Sequence, residues 1–261
     1  MRPLAYANAL SLLLVVAGAA LLLVALHALE RRASRYVAHR LGWRGVLVTA
    51  WLGVPCHELG HLAMARLFGH RIVAWRLFDP DPTSGTLGYV RHAYSRRSLW
   101  QRLGNLAIGL APLLSGTLVL GALLALLVPP RELYALLGRA QHAAGTTLGA
   151  SALLDSARVF GGGLAELLWQ HRSPWLLLAA YLAVCVVAHL APSKSDLAQA
   201  LPPAAVVAAL ALGAALLLGQ AGVAITALPA LLVPLVALLT ACTLFQALYL
   251  LVVKVATRSS A

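Results

Sequence analysis

The chain has 261 residues, 61% of them hydrophobic and only 11% charged, with a formal net charge of +12. Soluble domains carry about a quarter of their residues as Asp, Glu, Lys or Arg, so the composition excludes an ordinary water-soluble enzyme and describes a polytopic membrane protein. The positive charge is nearly all arginine between apolar runs, which points to anionic lipid head groups as partners and speaks against nucleic acid. Cys56, Cys185 and Cys242 all lie in apolar runs without paired spacing, so neither a disulfide framework nor a cysteine zinc site is expected.

The first apolar run, about Leu4 to Leu29, is long enough to cross a bilayer as a helix. It ends in Glu30-Arg31-Arg32 with no small-residue cleavage pattern, as a retained anchor does and a removed signal peptide does not. Residues 30–44 carry five arginines among Tyr36, Val37, Leu41 and Trp43, which fits an interfacial helix or a solvated connector. The second run, Gly45 to Phe68, contains Val54-Pro55-Cys56-His57-Glu58-Leu59-Gly60-His61. On a helix His57 and His61 stand about 40° apart and roughly 6 Å along the axis, so two imidazoles can meet one ion. In a His-Glu-x-x-His arrangement the histidines hold zinc and the glutamate, here Glu58, is the general base for the attacking water. Burying these groups in hydrocarbon costs on the order of several kcal/mol unless they are paired, neutralised or bound to metal. The competing explanation is that they merely satisfy each other between helices. Pro55 lacks a backbone donor and crowds the Trp51 carbonyl, so with Gly53 beside it the helix is expected to kink or open just before His57 and admit water.

From Gly69 to Arg102 the chain turns polar. Ile72 to Trp75 and Leu87 to Val90 flank the turn-rich stretch Asp79 to Gly85, which predicts a β-hairpin, and Trp75, Tyr89, Tyr94 and Trp100 place it at the membrane interface. An exposed strand edge there can take an extended peptide by strand addition, or the segment is a plain interfacial loop. The third span, Leu103 to Val128, has small residues for close helix contact, and its polar Asn105 and Ser115 are candidates either to bind a substrate backbone or to bond a neighbouring helix. Residues 131–174 form a long connection in which Leu148 to Phe160 can dip into the membrane, Asp155 can pair with Arg158, and Gly161-Gly162-Gly163 makes a flexible joint. The fourth span, Trp175 to Leu190, leads to Ser193-Lys194-Ser195-Asp196, where Ser193 can cap a helix and Asp196 complete a capping box. A catalytic zinc site takes a third protein ligand and leaves the fourth position to water; Asp196, Asp155 and His189 are the candidates. Two further spans, Pro203 to about Leu218 and roughly Leu231 to Val253, carry almost no charge and serve as scaffold. The expectation is therefore an all-α polytopic fold of about six transmembrane helices with a possible interfacial hairpin after the second. It forms a single integral membrane domain over residues 1–261, with a catalytic core at about 45–200 and additional helices over 201–261. Basic residues divide almost evenly between the two sides, so charge asymmetry assigns no orientation.

The His57-Glu58-x-x-His61 motif in an apolar span, the hairpin-like loop, Gly104-Asn105 through Gly116, and His189 through Leu201 together resemble the intramembrane zinc metallopeptidases of the site-two protease clan, in particular its small bacterial and archaeal members. The resemblance covers about residues 45 to 200. It implies zinc as cofactor, His57 and His61 as ligands, Glu58 as base and an aspartate on a later span as third ligand. The better-known branch has Leu-Asp-Gly and Gly-Pro-x-x-Asn, where this chain has Leu154-Asp155-Ser156 and Ala111-Pro112-Leu113-Leu114-Ser115. The Ser193-x-x-Asp196 pattern matches the small members better and favours Asp196. The implied activity is peptide-bond hydrolysis within or beside the membrane, on a membrane-protein or peptide substrate, in a prokaryotic cytoplasmic (inner) membrane. A membrane protein using the same residues for metal or proton transport, for scaffolding, or as a degenerate peptidase is the alternative.

Overall fold

The computed structural model describes residues 2–144, 150–223 and 227–258. The described chain is mostly helical with one small sheet, in the order α1 (Arg2–Leu67), β1 (Arg71–Arg76), β2 (Tyr89–Ala93), α2 (Leu99–Leu127), α3 (Pro130–Ala144), α4 (Ala150–Gln170), α5 (Leu176–Val187), α6 (Lys194–Gln220) and α7 (Ala227–Arg258). Among the described residues three helices are long and apolar enough to cross a membrane: Pro3–Leu67, Leu99–Leu127 and Lys194–Gln220.

Three long apolar helices thus stand where six separate spans were expected. The first two runs and the arginine-rich stretch between them form one helical element of 66 residues, made of two helices that meet at a kink at Gly42; the part before the kink, roughly 60 Å at 1.5 Å per residue, outruns a hydrocarbon core of about 30 Å. The element is rich in Ala, Leu and Arg, all strong helix formers, so its first helix continues through Glu30-Arg31-Arg32 and stops only at Gly42. Its one non-helical residue is Gly42, at φ 67° and ψ −168°, a conformation that glycine enters without the steric cost of a Cβ. The backbone around Pro55 keeps helical dihedrals, so the expected opening before His57 does not occur and the break lies further back. The fourth expected span gives only the 12 residues of α5, about 18 Å and too short for a crossing. The fifth lies within α6, which begins at Lys194 and carries Pro202 and Pro203; the sixth lies within α7, whose described apolar stretch is Leu239–Val255. Of the expected membrane dip at Leu148 to Phe160, the first two residues lie outside the described residues. The rest is α4, which runs helical through Gly161-Gly162-Gly163 instead of loosening there.

The chain divides into two compact units of non-contiguous segments: Met1–Ala25, Leu124–Leu176 and Val206–Leu244, and Leu26–Leu123, Leu177–Ala205 and Phe245–Ala261. In the first, α3 and α4 form an antiparallel pair. A Cβ on Gly163 would collide with Leu136, so the glycine lets the fully buried Leu136 sit against the α4 backbone, with Val128, Leu164 and Leu167 around it. The pair Glu132–His171, 2.9 Å, closes its end.

In the second unit α1 and α2 run antiparallel at close range: a Cβ on Gly60 would stand 2.6 Å from Ser115 Oγ and 2.8 Å from the Ala111 carbonyl, and one on Gly104 would strike Phe68. Gly69, at φ 71°, ends α1, with its N–H donating to Arg66 O and that of His70 to Ala65 O, the paired bonds of a Schellman cap. The hairpin follows as expected. β1 and β2 pair antiparallel from Arg71 with Ala93 to Arg76 with Tyr89, and the register shifts between Ile72 and Ala74. The turn is closed by Asp81, whose carboxylate accepts from Thr83 N and Oγ1 and from Ser84 Oγ at 2.7 to 2.9 Å.

Candidate metal centre

His57 and His61 lie one turn apart on α1, and their Nε2 atoms face each other at 3.1 Å. Asp196, in the first turn of α6, brings Oδ2 to 3.6 Å from His57 Nε2 and 3.4 Å from His61 Nε2. These three are the only group of His, Cys, Asp or Glu among the described residues whose donor atoms converge in this way. Donors about 2.0 to 2.1 Å from a tetrahedral zinc ion stand roughly 3.4 Å from one another, so the three separations fit such an ion.

The hydrogen bonds on the far side of each ring decide its tautomer. His57 Nδ1 is 2.8 Å from the His189 carbonyl, and His61 Nδ1 is 2.8 Å from the Ile108 carbonyl. A carbonyl oxygen only accepts, so both Nδ1 atoms carry the proton. Two neutral rings then point their Nε2 lone pairs at each other and at a carboxylate, which is repulsive unless a cation or an added proton sits between them. Outer donors of this kind to backbone carbonyls are the usual support of metal-bound histidines. The residues therefore fit a zinc ion.

Asp196 is held in place from its own helix. Its Oδ2 accepts from Ser193 N at 2.7 Å and its N–H donates to Ser193 Oγ at 3.2 Å, the capping box that the sequence suggested. Capping and convergence on the imidazoles are thus combined in one side chain. Close approach is secured by glycines: Gly109 of α2 lies against the Asp196 carbonyl and Ala200, and Gly53 lies where any Cβ would collide with Cys185 O and crowd His189.

His189, an alternative ligand by sequence, turns its Nε2 to Thr49 Oγ1 at 3.1 Å and gives only its backbone carbonyl to His57. Asp155, the other alternative, is exposed on α4 and pairs with Arg158 at 3.4 Å. Asn105 is buried on α2, and its Oδ1 has no partner among the described residues. Ser115 donates to the Pro112 carbonyl at 3.2 Å and packs against Gly60. The three cysteines are free thiols.

Glu58 is buried beside the imidazoles. With His57, Val54, His189 and Glu30 it lines a cavity of about 140 Å³ whose opposite wall is Gly85, Leu87 and Gly88 of the hairpin loop. Water occupies about 30 Å³ per molecule in the liquid, so the space admits a few waters or one small group next to Glu58. The loop is pressed close: a Cβ on Gly88 would stand 2.9 Å from Val54 Cγ1 and 2.8 Å from the Leu77 carbonyl. A second imidazole pair, His70 and His92, meets at 2.9 Å between Nδ1 atoms, while His70 Nε2 donates to the Gln101 carbonyl at 2.8 Å. Burial, then the nearby His70 and His61, hold His92 below the ordinary imidazole range, and a Gln199 side chain bonds it. This pair ties β2 to the end of α1.

Sequence reasoning missed Glu30 and His27, which reach this side of the second unit from the first apolar run. The pair Glu30-Arg31 looked like the charged exit of a span. The available signal was the i, i+3 spacing of His27 and Glu30, which puts both on one helix face, whereas Arg31 points elsewhere. Compared with protein families, with curated proteins and with solved structures, the chain matches none of them.

Proposed function

We propose that the protein is a membrane-embedded zinc metallopeptidase of the site-two protease kind, hydrolysing peptide bonds of membrane-protein or peptide substrates within or next to a prokaryotic cytoplasmic membrane. The observation that carries this reading is the meeting of two Nδ1-protonated imidazoles and one carboxylate at zinc spacing, beside a buried glutamate that lines a small cavity. His57, His61 and Asp196 would hold the ion. Zinc bound there supplies Lewis acidity, which lowers the pKa of water and polarises a scissile carbonyl. Glu58 accepts the proton of the attacking water and returns it to the leaving amine. The loop Gly85 to Gly88 bounds the space where the scissile bond would lie.

The test is made on the full chain purified in detergent and returned to lipid vesicles, with zinc content by elemental analysis and cleavage of co-reconstituted single-span membrane proteins as readouts. One zinc per chain and cleavage are expected from the parent. The E58Q variant should keep the zinc and lose cleavage by about 10²- to 10⁴-fold, the usual share of a general base. Stoichiometric zinc with no cleavage of any segment would leave a degenerate peptidase, and weak exchangeable metal a transport or scaffolding role.

A further inference from the structure

We propose that Glu30 is a positioning residue of the metal centre: it pins the 188–193 connection, and that connection sets both His57 and Asp196. The proposal rests on the metal-centre reading above, yet it concerns a residue outside the His57-Glu58-His61-Asp196 set.

The backbone donors of this connection can be followed one by one. Ala188 N–H donates to Val184 O, His189 N–H to Val186 O and Leu190 N–H to Val187 O, as α5 winds down. Ala191 N–H has no carbonyl left and donates to Glu30 Oε2 at 2.7 Å. Pro192 has no N–H, and Ser193 N–H donates to Asp196 Oδ2. Buried backbone donors are almost always paired, so Glu30 supplies the acceptor at the point where the chain leaves one helix and has not entered the next. One turn earlier on the same face, His27 Nδ1 donates to the Pro192 carbonyl at 2.9 Å. The first apolar run therefore grips two successive residues of the connection.

What is gripped matters to both ends of the centre. The His189 carbonyl, two residues before Ala191, fixes the ring of His57, and the capping box at Ser193, two residues after it, fixes Asp196. Without the Glu30 acceptor the Ala191 N–H is left unpaired, the connection shifts, and the donor atoms no longer hold their spacing. Outer partners of metal ligands typically alter metal affinity 10- to 100-fold when removed.

The experiment uses the full chain in lipid nanodiscs, with E30A, E30Q and E30D beside the parent. Two quantities are read: amide exchange of residues 188–193 by mass spectrometry in metal-free protein, and cobalt(II) affinity from its visible bands in zinc-free protein. Glutamine keeps an amide oxygen at the same reach, so E30Q should match the parent in both. E30A should exchange faster over 188–193 and bind cobalt about 10- to 100-fold more weakly. E30D, with the charge kept but the oxygen drawn back, should follow E30A and serves in its place if E30A does not fold. The proposal is overturned if E30A, or E30D in its stead, binds cobalt as the parent does, or if E30Q falls with them, since charge and not acceptance would then be the cause. Should the parent bind no cobalt or zinc, the peptidase reading and the link to the metal fall together, while exchange at 188–193 alone still decides the tether: equal exchange in parent and E30A refutes it.

Discussion

At the scale of single residues, the centre depends on which nitrogen of each imidazole carries its proton. The carbonyls of His189 and Ile108 hold both protons on Nδ1, and the two bare Nε2 atoms 3.1 Å apart need a cation or a proton between them. Asp196 caps α6 and is the proposed third ligand, and the two roles can be separated. The S193A variant should lose about 1 kcal/mol of stability with the cap yet keep one zinc per chain; D196A should lose stoichiometric zinc. Thermal unfolding and elemental analysis on the same samples check both, and zinc retained by D196A would remove Asp196 from the set. Two of the three donors were readable in the sequence because their spacing is local: four residues on a helix is a fixed geometry. The third was one of three candidates, since nothing in a linear chain says that a capping aspartate more than a hundred residues away folds onto a given pair of rings. Glu30 escaped notice for the same reason, its partner Ala191 being distant in sequence.

At the scale of elements, glycines decide how near one helix comes to another. Gly60 faces Ser115 Oγ and the Ala111 carbonyl at Cβ distances of 2.6 and 2.8 Å, so G60V must push α2 away from the motif turn. A cost of about 1 to 3 kcal/mol, as for other overpacked sites, should appear as a lower unfolding temperature in detergent, together with weaker zinc binding. The hairpin turn offers a pH effect. Hydrogen bonds from the Thr83 side chain, then from Ser84 and the Thr83 backbone, hold the exposed Asp81 carboxyl down to about 2, below the value near 3.9 of a free aspartate. A depressed carboxyl stabilises the folded turn fully above about pH 4, and that contribution fades as the pH falls toward 2. Protection of the amides of residues 79–87, taken as exchange relative to the intrinsic rate at each pH, should therefore fall between pH 4 and 2 in the parent and change little in D81N, which carries no titrating carboxyl. The hairpin was legible because short apolar runs, Ile72 to Trp75 and Leu87 to Val90, flank a Pro, Asp and Gly cluster. The three glycines of α4 were misread as a joint: composition shows that glycine can loosen a helix, but not that Leu136 needs the space at Gly163.

At the scale of the whole molecule, three helices among the described residues are long and apolar enough to cross a membrane, and they expose leucines such as Leu118, Leu126, Leu210 and Leu217. The protein should stay with the membrane pellet through alkaline carbonate and high-salt washes and leave it only with detergent; release by carbonate would contradict a membrane-spanning chain. The membrane class, the helical content, the hairpin and the pair of motif histidines with their glutamate were determined by the sequence alone, because each follows from local composition or periodicity. How many separate spans those apolar runs make was decided by the fold, since the first helix runs past Glu30-Arg31-Arg32 to a kink at Gly42 and α5 stops at 12 residues. The third donor, the glutamate that braces its connection and the loop that walls the cavity were likewise set only by tertiary structure. Each depends on a contact between residues far apart in the chain, and hydrogen-bond geometry and close packing select such a contact only once the helices are in place.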